Sequence, residues 1–534
     1  MAVKGRGLRM RGEQHERRQG AAIAGEPPVT AGAFSHREIL VILSGVLLGM
    51  MLAALDQSIV ATALPAIAGE LNGLEHLSWI VAAYLLTSTA ATPIYGKLSD
   101  LYGRRVLLQI AIAVFVAASV LCAAAQDMPQ LIAARALQGV GGGGLISMAQ
   151  AVIADVISPR ERGRYQGYLS GMWATASVGG PVLGGFFVDY LSWRWVFWIN
   201  LPLGIAAFIL CRRALARLVS PRQRRRVDYL GAALLTAAVA DLLLVASWGG
   251  TTFAWTSATL LGLMAAALPL VGGFVLQELR AGEPIMPPRL FANPVISLAN
   301  LISFIVAMAM FGAIVLLPVF LQLVIGVGAG DSGILLIPLM GGTVVGAFTS
   351  GQLMRRSGRY KVFPLIGLVL ATLGFVLLAT MDQATAPTLA MVYMGLLGIG
   401  IGMSMPVMLV AVQNAAELRD IGVATATVAF SRSLGGSFGA AILWSALLAA
   451  LERHLAAAGS TLGTALLAGG PDAIAHLDPA ERALLIPALA QSFHLVFGIA
   501  ALIVAMSVAA AVFLKEVPLR TSAAVAAQRK KPGE

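Results

Sequence analysis

The chain has 534 residues, 58% of them hydrophobic and only 12% charged, with a mean hydropathy of +0.83 and a net charge of +11. Soluble domains run at about 45–50% apolar and about 25% charged residues, so the composition excludes an ordinary globular protein. Apolar runs that meet the ~20 residues a bilayer core demands recur throughout, and the short alternating segments of a membrane barrel do not.

In chain order, residues 1–37 are polar and rich in Arg and Gly, and read as a disordered cytoplasmic tail. The apolar run behind them is too long for a signal-peptide core. Fourteen spans are predicted, at 38–68, 77–96, 106–125, 129–156, 162–187, 195–215, 228–248, 257–278, 294–322, 332–353, 362–380, 387–413, 419–447 and 491–514. Residues 448–490 form a long extracytoplasmic segment, helical at both ends around a Gly-Pro-Asp break, and 515–534 a second cytoplasmic tail. An even number of spans puts both termini on one side.

Charge sets the orientation. Of the 37 Lys and Arg residues, 32 fall in the tails and loops on the side of the N-terminus, three fall on the other side (Arg194, Arg453, Arg482), and Arg135 and Arg432 lie inside spans. By the positive-inside rule both termini are cytoplasmic. Topology and anionic headgroups therefore account for the basic charge, and no nucleic-acid partner is expected. Cys122 and Cys211 sit in or beside apolar runs and form neither a disulfide framework nor a metal pair.

The chain repeats. "GKLSDLYGRR" at Gly96 has a cousin, "GQLMRRSGRYK", at Gly351, and "GRYQGYLSGMWATASVGGPVLGG" (163–185) resembles "LRDIGVATATVAFSRSLGGSFGA" (418–440) at the same offset of about 255 residues. Two six-helix halves follow, 38–215 and 294–514, with two inserted helices in the segment 216–293. Parallel repeats of this kind build secondary transporters, with the substrate site near the midplane between the halves.

Five stretches in order then resemble the major facilitator superfamily, in its fourteen-helix drug:proton antiporter branch (the EmrB/QacA type). They are "LDQSIVATALPAI" from Leu55, "GKLSDLYGRR" from Gly96, "RALQGVGGGG" from Arg135, "GPVLGG" from Gly180 and "WRWVFWINLPLG" from Trp193. The resemblance covers residues 38–515. It departs in two places. Ala176 stands where the antiporter pattern usually has glycine, and the second loop copy carries Arg355 and Arg356 with no counterpart of Asp100. That copy is expected to be a weaker latch.

Each candidate residue has a physical reason. Asp56 lies deep in the first apolar run, where an acid usually marks an ion or proton path, and the resemblance links it to proton coupling or to a cationic substrate. Arg135 must face the bundle interior, where its fixed charge acts on a nearby acid. Asp241, in the first inserted helix, is a second proton or cation site, or else a hydrogen-bonding group between helices. Arg432 either balances a cavity carboxylate or locks its helix.

Gly96 and Gly103 allow close approach and a tight turn, while Asp100, Arg104, Arg105 and Asp155 supply an ionic network. The resemblance implies that this group is a latch on the cytoplasmic side. Gly180, Pro181, Gly184 and Gly185 form the antiporter motif, with Gly435, Gly436 and Gly439 as its C-half counterpart. The resemblance implies a seal against proton leak. Gln57, Tyr84, Gln138 and Trp173 are the expected substrate-cavity contacts, and Gln138, one turn on from Arg135, can also hydrogen-bond across helices.

No catalytic cluster, metal site or ATP-binding motif appears, so no enzyme activity and no cofactor are expected, and a proton gradient is the energy source. The function expected is export of amphipathic or cationic drugs across an inner membrane, the partners being these small molecules, protons and lipids. The alternatives are a dedicated exporter of one metabolite, siderophore or lipid, a proton-coupled importer, and a transport-inactive sensor. Whether outer-membrane efflux partners are used is left open.

Overall fold

The computed structural model describes residues 35–71, 77–157, 161–217, 228–249, 253–327, 329–457 and 478–519. Residues 1–34 and 520–534 of the two expected tails, and the Gly-Pro-Asp break at 470–472, lie outside this set. Apart from one isolated bridge between Gly249 and Phe253, the described residues hold helices, turns and loops.

The N-half consists of α1 (His36–Leu71), α2 (Leu77–Tyr102), α3 (Arg104–Ala124), α4 (Met128–Val156), α5 (Arg162–Tyr190) and α6 (Asn200–Ala214), with a short turn of helix, Trp195–Trp198, before α6. The inserted pair is α7 (Tyr229–Trp248) and α8 (Ala258–Arg280). The C-half consists of α9 (Pro294–Phe320), α10 (Ile337–Ser357), α11 (Val362–Leu378), α12 (Pro387–Ala415), α13 (Ile421–Ala457) and α14 (Pro479–Val512). Among the described residues, eleven helices are long and apolar enough to cross a membrane, and α2 and α5 are not in that set. The apolar α11 has 17 residues, below the usual span. The chain is a multi-pass membrane protein.

Local chemistry places the boundaries. Asp127 caps α4 by accepting from the Gln130 amide at 2.8 Å, and Asp228 caps α7 by accepting from Gly231 at 2.9 Å. A single residue, Gly103 at φ +92°, turns the chain between α2 and α3, and Gly358 at φ +70° ends α10. Both positions favour glycine, and they lie 255 residues apart. The segment 448–490 is helical at both ends as expected, because α13 runs on to Ala457 and α14 begins at Pro479. His454 and Ser492 join these extensions at 2.9 Å.

Each half has its own apolar core, and a smaller cluster sits where α2, α7 and α13 meet. The halves touch chiefly through two equivalent pairs, α2 against α13 and α5 against α10, and α13 also reaches α4. Glycine sets how closely helices approach within each half. A Cβ at Gly143 meets the Ser88 carbonyl oxygen at 2.2 Å, and one at Gly398 meets that of Leu339 at 2.1 Å. Small residues of this kind let membrane helices pack backbone to backbone.

Candidate functional site

Four helices converge on Asp56. The carboxylate is fully buried, and Arg135 on α4 is 1% exposed. Arg135 Nη1 donates to Asp56 Oδ2 at 2.6 Å. Gln138 Nε2 donates to Asp56 Oδ1 at 2.8 Å, and Asn200 Nδ2 to the same oxygen at 3.1 Å. Both amides also donate to Ser119 Oγ on α3, at 2.7 and 3.3 Å. A buried ion pair is tolerated only when its remaining polar valences are met, and here Gln138 on α4, Asn200 on α6 and a backbone carbonyl of α2 serve them.

Arg135 reaches one helix further. Its Nε donates to the Ile80 carbonyl oxygen on α2 at 3.2 Å, and its guanidinium lies 4.4 Å from the centre of the Tyr84 ring. The acid on α1 is thus tied through one arginine to α2, the helix that carries the opening loop motif.

Arg135 faces the bundle interior as expected, and the acid it meets there is Asp56. Gln138 and Tyr84 belong to the same cluster. They are 0% and 1% exposed, so in this conformation neither faces an open substrate cavity. Trp173 is 38% exposed, while Gln57 is half-buried with its side chain beside the Tyr84 hydroxyl. Sequence reasoning missed Asn200 and Ser119. The only signal for Asn200 was its place in "WRWVFWINLPLG". The start of that stretch clips together the end of α1 and the link between α3 and α4. Trp193 Nε1 donates to Glu70 Oε2 at 2.7 Å, and Arg194 pairs with Glu70 and donates to the Ala125 carbonyl at 3.1 Å. The Arg194 hydrogen bond, above all, holds the Glu70 carboxyl below its ordinary value.

The second cluster lies at the other end of α2. Asp100 Oδ1 accepts from the Gly422 amide at 3.2 Å and Oδ2 from the Val423 amide at 3.0 Å, in the first turn of α13. A carboxylate there meets unpaired amides and the positive end of the helix dipole. Arg104 pairs with Asp100 at 2.5 Å and with Asp155 at 3.0 Å, and also bonds Ser99 Oγ. Arg105 lies half-buried beside this network. At Gly96 an added Cβ meets Ala426 Cβ at 2.5 Å, so the absent side chain is what lets α2 touch α13. The candidate latch therefore spans the two halves, and it is closed.

In the second loop copy, Tyr360 is tied within its own half. The Tyr360 amide donates to Glu516 Oε1 at 2.7 Å and its hydroxyl to the Lys515 carbonyl at 2.6 Å, just beyond α14.

The antiporter motif packs α5 on α1. A Cβ at Gly180 meets Ser58 Oγ at 2.0 Å, and one at Gly184 meets Thr62 Oγ1 at 2.0 Å and the Ile59 carbonyl oxygen at 2.8 Å. A Cβ at Gly185 meets nothing within 4 Å. Pro181 lies in the same stretch of α5. The C-half counterpart packs α13 on α9, where a Cβ at Gly439 meets the Met308 carbonyl oxygen at 1.9 Å. Overpacking of this kind costs about 1–3 kcal/mol. Gly184→Ala is therefore expected to cut transport at least about tenfold per reconstituted molecule, and Gly185→Ala to leave it near the natural rate. Parallel flux measurements on the two variants check this.

Two intramembrane charges lie elsewhere. Asp241 on α7 is 6% exposed, and its Oδ2 has no hydrogen-bond partner among the described residues. No hydrogen bond found here joins it to the Asp56 cluster. Arg432 donates to the Met405 carbonyl on α12, which ties α13 to its neighbour. Between α2, α7, α9 and α13 lies a cavity of about 290 Å³, walled by Trp79, Trp248 and Trp444 with Leu85, Ser247 and Ser437. Trp173 and Gln57 are not in its wall.

The family model of the Major Facilitator Superfamily matches residues 46–440. The chain belongs to the major facilitator superfamily. As members of that superfamily are transporters, the chain is a transporter rather than an enzyme. It is 41% identical over 480 residues to an uncharacterized MFS-type transporter of Mycobacterium tuberculosis, covering 90% of this chain and 70% of the relative. It is 40% identical over 415 residues to the multidrug transporter protein MdtP of Bacillus subtilis, covering 77% and 75%. The solved proton:xylose symporter XylE has the same fold, with a TM-score of 0.60 at 15% identity over 93% of this chain and all of the other. The human organic anion transporter MFSD10 gives a TM-score of 0.60 at 14% identity, over 88% of this chain and 99% of the other.

Proposed function

We propose that this superfamily member is a proton-coupled exporter of amphipathic, often cationic compounds, of the fourteen-helix branch, with both termini on the cytoplasmic side of an inner membrane. The observation that carries the reading is the buried Asp56–Arg135 pair and its hold on α2. Protonating Asp56 removes the charge that Arg135 neutralises. Arg135 then has less reason to stay between α1 and α2, and α2 is the helix whose far end carries Gly96 and Asp100. A proton at one end of α2 thus biases the latch at the other. A switch of this kind works only if the two states differ by a few kcal/mol.

The substrate class rests on chemistry and on relatives. MdtP is named a multidrug transporter, and three indoles line the cavity between the halves. Aromatic walls suit flat, lipophilic molecules and, through their π faces, cations. Asp241, on the helix α7 that supplies part of the cavity wall, is a second candidate for proton or cation binding. The test uses the purified chain in liposomes with an imposed pH gradient and a lipophilic cation dye. Dye movement that follows the size and sign of the gradient supports antiport. Movement indifferent to the gradient contradicts it.

A further inference from the structure

We propose that the segment joining the inserted pair to the C-half, residues 281–293, is a second latch across the gate that Asp100 closes, held by the ion pair between Lys97 and Glu283. The inference rests on the reading above that the α2–α13 contact opens and closes during transport.

The segment reads "AGEPIMPPRLFAN". Prolines at 284, 287 and 288 fix three φ angles and make it stiff. Both of its ends are tied down. At the α8 end the buried Glu278 carboxylate accepts from the Ile285 amide at 3.2 Å and the Met286 amide at 2.8 Å. At the α9 end Leu290 is 4% exposed within the C-half core. Arg289 Nη2 donates to both oxygens of Asp420 at 3.0 Å. Asp420 directly precedes α13, the helix whose first amides Asp100 caps.

Between these anchors the segment touches the N-half. Lys97 Nζ lies 2.7 Å from Glu283 Oε2, with side chains 9% and 22% exposed. Ile285, 1% exposed, packs with Ala90 of α2 and Leu235 and Val239 of α7, and Met286 joins them. Lys97 sits one residue after Gly96, on the helix that must leave α13 when the gate opens. The strap is continuous with α9 and moves with the C-half. Separating the halves therefore breaks the Lys97–Glu283 pair and withdraws Ile285. The contact is made only in the closed state, which is the requirement for a latch. The inserted helices thereby acquire a part in gating, because their exit holds the gate.

The test uses the full chain in lipid nanodiscs with spin labels at Tyr102 and Arg359, both exposed and on opposite halves. Cys122 and Cys211 are buried and do not compete for the label. Lys97→Glu and Glu283→Lys are each expected to raise the separated-to-closed ratio about threefold to tenfold, as loss of a half-buried pair should. Glu283→Gln, which keeps the shape, shifts it in the same direction. The exchanged pair Lys97→Glu/Glu283→Lys returns the ratio to within about twofold of the natural chain. Unchanged single variants overturn the proposal, as does an exchanged pair no closer to the natural ratio than its parents. The distances need neither dye nor proton gradient, so failure of the antiport reading shows in the flux assay and failure of the strap shows here.

Discussion

Asp56→Asn abolishes gradient-driven export and leaves a folded but weakened protein. The carboxylate balances Arg135 in a site with no exposed surface. An amide of the same shape keeps a hydrogen bond to offer but removes the balancing charge. Breaking a buried pair from one side costs about 3–5 kcal/mol, because the remaining charge has no water to turn to. The melting midpoint of the variant in detergent is expected to fall. Adding Arg135→Gln removes the stranded charge and recovers most of the lost stability, since a neutral network is often no worse than an ion pair. Transport does not return, because neither neutral side chain exchanges a proton across the cycle. Melting and dye flux measured on both variants separate the two effects. Flux that recovers together with stability would show that the pair only holds the bundle together.

The second large effect is at the latch. Asp100→Ala leaves two amides at the start of α13 without their acceptor, and leaves Arg104 with Asp155 as its remaining carboxylate among the contacts found. Unsatisfied buried donors cost about 1–3 kcal/mol. Gly96→Ala acts on the same contact by volume, since its Cβ stands 2.5 Å from Ala426 Cβ and 3.1 Å from the Gly422 carbonyl oxygen. Both changes penalise only the closed state. Each is expected to shift the balance about tenfold or more toward separated halves, read from the distance between labels at Tyr102 and Arg359. Gly96→Ala makes the sharper test, because it removes no charge. If its distances match those of the natural chain, the close approach of α2 and α13 is not what holds the gate.

Much of this was legible in the sequence, and the reason is electrostatic. A charge inside an apolar run is conspicuous, so Asp56 and Arg135 stand out at once, and the cost of isolating either explains why they meet. The repeat at 255 residues was equally plain, because glycine is needed at Gly103 and Gly358, where φ is positive. Of the neutral partners, Gln138 was legible one turn from Arg135, and Asn200 was not. Asn200 lies 144 positions from Asp56, and nothing in an amide's spacing announces such a reach. The partner of Asp100 was hidden for another reason. It is backbone, 322 positions away, and backbone amides leave no mark in a sequence. Tyr84 and Gln138 read as cavity contacts because polar and aromatic residues in a span suggest a binding wall. Here the same properties serve an arginine instead. Nothing in the sequence singles out Glu283 and Arg289, because their partners on α2 and before α13 come near only in the folded bundle.

The central claim is that a proton on Asp56 and the substrate exclude one another. The most direct measurement adds a lipophilic cation dye to the purified protein in weakly buffered detergent and follows proton release with a pH indicator. The account predicts release from the natural chain on dye binding and none from Asp56→Asn at equal dye occupancy. Equal release from both proteins, or none from the natural chain while dye binds, would contradict it.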